Sequence, residues 1–344
     1  MRTSDWFDPL PDDPAVVLDP VWLAHALDLV GPDDQVVGVE HSASTKTIAE
    51  KLCFTVAVEG PKGLNHHHLC AKAHFNESIN SLLTEASFYR HLQPRLGIRS
   101  PRAHYTGIDA PNNRGLIVMD DVVAMGGTIG DARQPYTVGR GRDSLGQLAL
   151  LHARTWADPQ WDQDWLGPRI DKMASLFLSD RLQDLLNDGR GPDLPPELRD
   201  AANLVAAMHA TAQLPATCVI HGDPHSGNGY LNAEGQSGWL DWQIAQRGHW
   251  SVDVAYHLGT VLTVEDRRTH EIELLRHYLS ELERHGVAAP PFDEAWERYA
   301  LGFTWGYFLW AITSVSSREV VLLHIPRLGA ALNDHNTFER LGVL

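Results

Sequence analysis

The chain has 344 residues, 43% of them apolar and 21% charged, with 44 acidic against 28 basic residues and a formal net charge of −16. This length exceeds what a single hydrophobic core ordinarily serves, so two lobes are predicted, and the composition is that of a folded globular protein rather than a disordered one. The acidic excess excludes the clustered Lys and Arg that nucleic acid or an anionic membrane surface would demand, so neither is expected as a partner.

Met1–Pro14 has no apolar core of a targeting signal, and no window reaches the roughly 18 uncharged apolar residues of a membrane span. Cys53, Cys70 and Cys218 lie in apolar runs without metal-ligand spacing, which predicts buried reduced thiols and a reducing, cytoplasmic setting. Leu18–Gly31 reads as a helix with Asp19 as N-cap, Pro20 in the first turn and Gly31 as the stop. The periodicity then changes to two. Lys51–Val58 places Leu52, Phe54, Val56 and Val58 on one face, and Leu69–Phe75 does the same with Leu69, Ala71, Ala73 and Phe75, so a pair of antiparallel strands is predicted with Lys72 on the face opposite the apolar set. His66–His68 cannot all converge on one ion because they are consecutive, and they read as loop.

Glu77–Leu92 shows Ile79, Leu82, Leu83, Ala86 and Tyr89 at helical spacing, which sets Glu85 on the flank of the buried stripe, within reach of Lys72. Gly115–Val122 is a buried-strand run ending in two aspartates. The Gly- and Pro-containing stretch Ala124–Pro135 follows it, and the domains are placed at 1–120 and 121–344. Helical patterning dominates afterwards, over Arg142–Ala157, Pro168–Asn187, Pro196–Gln213, Val264–Gly286 and Phe292–Ser314. Thr217–Asp223 and Gly229–Trp242 interrupt it as a short strand, a loop and a hairpin turning at Glu234–Ser237.

That interruption holds the chemistry. Asp223 and Asn228 share one loop and Asp241 ends the second hairpin strand, so the three are expected to face one site. Two carboxylates and an amide are hard oxygen donors, which suit Mg²⁺ shared with phosphates rather than zinc. Asp241 follows Trp239 and Leu240 at a buried strand end, where an unpaired carboxylate is costly.

The segment His221–Asn228, "HGDPHSGN", followed by "LDW" at Leu240–Trp242, resembles the catalytic and metal-binding segments of the aminoglycoside phosphotransferase and choline kinase superfamily. "LCAKAHF", "TEASFYRHLQPRLGIRSPRAHY", "GLIVMDDV", "LALLHARTW" and "DVAYHL" resemble its further segments, in the expected order over roughly residues 36 to 262. The forms "FYRHLQP" and "LDWQ" resemble the ecdysteroid-kinase-like, or CHK kinase-like, branch. The resemblance implies an α+β, bilobal protein-kinase-like fold, with an antiparallel-sheet N-lobe that binds nucleotide and a mostly helical C-lobe that carries the catalytic loop and the acceptor site. It implies ATP and Mg²⁺ as cofactors and a small hydroxylated molecule as acceptor. Asp223 would be the catalytic base, and Asn228 and Asp241 the metal ligands. Lys72, fixed by Glu85, would grip the phosphates, the backbone at Met119, Asp120 and Val122 would receive the adenine, and His221 and Asp253 would brace the loop.

This chain departs from the pattern at the phosphate loop, since Glu40–Lys51 contains no glycine. Ser42, Ser44 and Thr45 are the donors it offers instead. Two other readings are weighed: a nucleotide-binding pseudokinase, favoured only by the absent glycines, and a metal-dependent phosphoester hydrolase built on His221, Asp223 and His225. The aromatic group Phe303, Trp305, Tyr307, Phe308 and Trp310 reads mostly as helix packing, with some members able to line an acceptor pocket. An apolar-bodied alcohol and a cationic amine both remain open as acceptor, as does the oligomeric state.

Overall fold

The computed structural model describes residues 10–46, 49–75, 82–176 and 179–344. The chain forms two compact units. The first runs to Thr128 and takes in Asn232–Gly235 and Leu240–Gln243; the second comprises the remainder. The first unit continues through the turn that follows its last strand, to Thr128. Asp121 accepts the amides of Val123 and Ala124 on Oδ1, and Gly127 donates to the Val122 carbonyl, so this turn stays with the preceding strand.

Among the described residues the first unit has a five-stranded antiparallel sheet of β1 (Gln35–Lys46), β2 (Glu50–Gly60), β3 (Gly63–Ala73), β4 (Ala103–Asp109) and β5 (Arg114–Asp120), in the order β1-β2-β3-β5-β4. The predicted alternation is what builds its core: Leu52, Phe54, Val56 and Val58 of β2 join Leu69, Ala71 and Ala73 of β3 and Leu116 and Val118 of β5. Val17 and Leu23 from two N-terminal helices, Pro14–Val17 and Pro20–Ala26, and Leu27 just after the second belong to the same cluster. Asp19 caps the second of these helices through Val21 and Trp22.

Two loop readings are corrected here. Glu40–Lys46 is part of β1, paired with β2 apart from a register shift at Ser42, and Thr47 and Ile48 lie outside the described residues. His66–His68 are strand residues opposite Ala57, Val56 and Thr55, and Thr55 Oγ1 meets His68 Nδ1 at 3.0 Å. Both segments are largely exposed, so they carry no apolar alternation that sequence could display.

Glu85 lies in the helix Leu82–Ser87, which continues through a π turn at Phe88–Leu92 into Gln93–Leu96 and stops at Gly97, where φ is +70°. The predicted start of this helix at Glu77 and its position Ile79 lie outside the described residues. The helix packs close to β5 because position 115 is glycine: a Cβ there would sit 2.3 Å from the Leu82 carbonyl oxygen.

The second unit is mostly helical. Trp250–Val261 is buried at every position, its polar members Ser251, Asp253, His257 and Thr260 included, so it has no exposed polar stripe. Val138–Arg154 and Val264–Arg284 are single helices as predicted, with ends shifted by a few residues. Phe292–Ser314 instead breaks at Gly302, where a Cβ would meet the Ser251 carbonyl oxygen at 2.2 Å. Pro168–Asn187 appears as Ile170–Leu176 and Ser179–Asn187, with residues 177 and 178 outside the description. Cys218–Ile220 pairs antiparallel with Gln246–Gly248, and Gly229–Leu231 with Ser237–Trp239. The turn of that hairpin lies at Asn232–Gly235, two residues before the predicted one, because Gly235 accepts a φ of +77°. This is the α+β protein-kinase-like fold. No described helix is long and apolar enough to cross a membrane.

Gly115→Ala should drive a methyl into the Leu82 carbonyl and lower stability by about 1–3 kcal/mol. A urea unfolding series checks this through a lower midpoint at unchanged slope.

Candidate active site

In the first unit the period-two reading places Lys72 where a lysine is seldom found, almost wholly buried on the face of β3 away from the apolar core. Its Nζ donates to Glu85 Oε2 at 2.6 Å and lies 3.1 Å from Asp241 Oδ1. Burial alone pulls the ammonium down, but the Asp241 and Glu85 carboxylates outweigh it and hold the group above the ordinary lysine value. Glu85 is fully buried, which pushes its carboxyl up, and the Lys72 ammonium pulls it back. On balance burial prevails, and the Glu85 carboxyl stands above the ordinary glutamate value.

Asp241 adopts φ +61°, a left-handed conformation that aspartate tolerates better than most residues. Its neighbour Trp242 stacks on Phe88 with centroids 3.8 Å apart and planes within 9°, and donates through Nε1 to Ser100 Oγ. Phe88 follows Glu85 by three residues. The helix that supplies Glu85 therefore also anchors the segment that supplies Asp241.

At the end of β5, Met119 is buried opposite Cys70. Asp120 Oδ1 meets His104 Nε2 at 2.8 Å, and Asp28 Oδ1 meets His104 Nδ1 at 2.9 Å. Burial lowers His104, yet hydrogen bonds to the two carboxylates raise it overall, consistent with an imidazolium donating from both nitrogens. The Asp120 side chain is thus engaged structurally. Val122 accepts from Gly127 on its carbonyl, while its N–H has no hydrogen-bond partner among the described residues. Ser42, Ser44 and Thr45 are exposed on β1 rather than in a turn. Ser42 Oγ donates to the Cys53 carbonyl at 2.8 Å, and Ser44 Oγ pairs with His41 Nε2.

In the second unit the loop after Cys218–Ile220 is organised by a fully buried carboxylate. Asp253, in the first turn of Trp250–Val261, accepts the His221 amide on Oδ2 at 2.6 Å and the Gly222 amide on Oδ1 at 2.9 Å. His152 Nε2 donates to the same Oδ2 at 3.1 Å while its Nδ1 meets the Tyr278 hydroxyl at 2.8 Å. Gly222 has φ +85°, and a Cβ there would lie 2.4 Å from the Ile244 carbonyl oxygen, so the turn requires glycine. Its carbonyl accepts from Trp305 Nε1 at 2.6 Å. His221 is fully buried and its Nδ1 accepts the Asp223 amide at 3.2 Å.

Asp223 is left partly exposed and held at both oxygens. Tyr256 donates to Oδ1 at 2.6 Å, and Asn228 Nδ2 donates to Oδ2 at 3.0 Å and to the Asp223 carbonyl at 2.9 Å. Burial and the adjacent carboxylate keep the Tyr256 phenol far above its usual range, so it stays a donor. His225 Nε2 stands 3.6 Å from Asp223 Oδ2. His257 donates from Nδ1 to the Pro224 carbonyl and meets Ser144 at Nε2; burial lowers it to about 4, which keeps it neutral. The result is a carboxylate whose orientation is set by hydrogen bonds at both oxygens.

Sequence reasoning missed Tyr256, His257 and the bonding role of Trp305. Tyr256 and His257 follow Asp253 by three and four residues, a helical spacing that sets all three on one side of their helix and was there to be used. Among the described residues no three His, Cys, Asp or Glu side chains gather to hold a metal by themselves. Asn228, in the second unit, offers an amide oxygen and Asp241, in the first, a carboxylate, each a hard oxygen donor of the kind Mg²⁺ takes.

Residues 55–301, more than half of the chain, match the Phosphotransferase enzyme family. No curated protein sequence matches. Among solved structures, a Plasmodium vivax ethanolamine kinase is similar over 85% of this chain and 81% of its own, with 13% identity and a TM-score of 0.54. A choline/ethanolamine kinase family protein from Mesorhizobium loti is 18% identical over 94% and 97%, at a TM-score of 0.48. A choline kinase from Streptococcus pneumoniae is 13% identical over 87% and 94%, at 0.49.

Lys72→Met would strand Glu85 in the interior, and a loss of about 3–5 kcal/mol is expected at neutral pH. Without the ammonium, the folded Glu85 carboxyl titrates far above its unfolded value, so the folded state holds the extra proton and the deficit should shrink as pH falls toward the ordinary glutamate range. Urea titrations of both proteins at pH 7 and pH 5 check this, with a larger deficit expected at pH 7.

Proposed function

This chain belongs to the Phosphotransferase enzyme family and is a small-molecule kinase, and on that premise we propose that it transfers the γ-phosphoryl group of ATP, with Mg²⁺, to a hydroxyl group of a small molecule. The acceptor oxygen attacks the γ-phosphorus, the bond to the bridging oxygen of ADP breaks, and Asp223 takes the hydroxyl proton. Tyr256 and Asn228 aim that carboxylate, and Asp253 holds the backbone on which it sits. Lys72 steadies the phosphates, with Glu85 fixing its ammonium. Asn228 and Asp241 would hold Mg²⁺, which neutralises phosphate charge when bound. The Val122 N–H, left without a partner among the described residues, suits an adenine edge.

The single observation that carries this reading is the Lys72–Glu85 pair. A buried lysine and glutamate are costly to desolvate and stabilise a fold poorly, so their presence favours a role in ligand binding. That Lys72, Asp223, Asn228 and Asp241 are all present speaks against a pseudokinase. A hydrolase built on His221 fares worse, because His221 is wholly buried and its Nδ1 already accepts the Asp223 amide.

For the acceptor, a cavity of about 370 Å³ in the second unit is lined by His225, Ser226 and His324 beside Asp131 and Arg133. Asp131 is neutralised by Arg133, and Ser226 Oγ and both His324 nitrogens are buried without hydrogen-bond partners among the described residues. These features support a polar, hydroxyl-bearing acceptor. Ethanolamine and choline, the substrates named for the similar kinases, are the first compounds to try. We place the reaction in the cytoplasm on composition and thiol content alone.

Asp223→Asn should leave Mg·ATP affinity unchanged and cut transfer by about 10²–10⁴-fold; turnover equal to the parent protein removes Asp223 from the base role. Asp241→Ala should make ATP affinity insensitive to Mg²⁺, which calorimetric titration with and without the cation reads directly. Retained Mg²⁺ dependence would contradict the metal assignment.

A further inference from the structure

Cys53 and Cys70 are directly opposite one another on β2 and β3. Since Leu52, Phe54, Leu69 and Ala71 point into the core, period two puts both cysteines on the other face, the one that carries Lys72. Across from Cys70 on its second side is Met119, at the end of β5. The thiols therefore occupy the stretch of sheet between the lysine proposed to hold phosphates and the backbone proposed to hold adenine. Both are half-buried free thiols, whereas Cys218 is fully buried in the other unit.

We propose that Cys53 and Cys70 are an oxidisable dithiol forming part of the nucleotide site, and that a peroxide converts them to a disulfide that prevents nucleotide from binding. The second half of this rests on the nucleotide reading above. Directly opposed residues in an antiparallel pair have Cα atoms about 4.5 or 5.5 Å apart, inside the roughly 4.4–6.8 Å that a disulfide spans, so the bond needs no rearrangement of the strands. Cys70 is the better nucleophile. Its contact with the Cys53 thiol lowers it, burial opposes that, and the Lys51 and Lys72 ammoniums add to the lowering, whereas Cys53 is pushed up first by the same contact and then by burial.

In the first step the Cys70 thiolate attacks one peroxide oxygen, the O–O bond breaks, and hydroxide leaves and takes up a proton to become water. In the second, the Cys53 sulfur attacks the resulting sulfenic acid, the S–O bond breaks, a second water leaves, and the Cys53 proton goes with it. Two thiols and one hydrogen peroxide thus give one disulfide and two waters.

The test treats the full-length reduced protein with hydrogen peroxide, then maps disulfides by peptide mass spectrometry and titrates Mg·ATP. The expected result is a Cys53–Cys70 linked peptide with Cys218 still free, an affinity at least about tenfold weaker, and recovery with dithiothreitol. Saturating Mg·ATP should slow the linkage. In Cys53→Ser, compared with itself before and after peroxide, no linked peptide should form and affinity should not change. Absence of the linked peptide in the parent protein overturns the proposal, as does linkage with undiminished affinity. If the reduced protein binds no nucleotide at all, the functional reading fails separately, and the peptide map still decides whether the dithiol exists.

Discussion

A buried ammonium between two carboxylates sets the first unit. Lys72 reaches Glu85 on a helix and Asp241 on a segment from far along the chain, so one side chain ties the sheet to two other elements. Ion pairs removed from water gain little net stability, and hydrophobic replacements of equal volume often do better. The arrangement therefore adds little to fold stability, which is why the proposed function gives it a charged ligand. Asp241 faces Lys72 with a partly exposed carboxylate in a left-handed backbone conformation, the kind of local strain that concentrates where a site needs a side chain aimed.

The second unit solves a related problem with backbone. Asp253 takes two amides and an imidazole N–H, which accounts for the donors of a tight turn that would otherwise be buried without partners. Gly222 lets the chain pass the Ile244 carbonyl, and Trp305 caps the Gly222 carbonyl from another helix. Asp223 sits on this support with both oxygens engaged, so its orientation is fixed before any substrate arrives. Preorganisation of this kind lowers the cost of reaching the reactive geometry.

The legibility of these features in the sequence followed their burial. Lys72 lies opposite an apolar alternation and Glu85 on the flank of an apolar helical stripe, so period and spacing were enough to bring them within reach of one another. The edge strand β1 was invisible because it pairs on one side only and is mostly exposed, leaving Ser42, Ser44 and Thr45 to look like loop donors. His66–His68 were lost for the same reason. Trp305 was hidden in the opposite way: in a helix apolar at nearly every position, nothing in the pattern distinguishes a packed ring from one whose polar atom holds the Gly222 carbonyl. Asp253 was legible as an acid at a helix start, but its bonds to His221 and Gly222 are long-range and have no local signature.

The most direct measurement follows label from γ-phosphate-labelled ATP into products, with Mg²⁺ present and a panel of amino alcohols and polyols as acceptors. The account predicts that label moves onto an organic phosphate ester, that this requires Mg²⁺, and that inorganic phosphate stays a minor product. Label appearing only as inorganic phosphate, or release that proceeds equally without Mg²⁺, would contradict it.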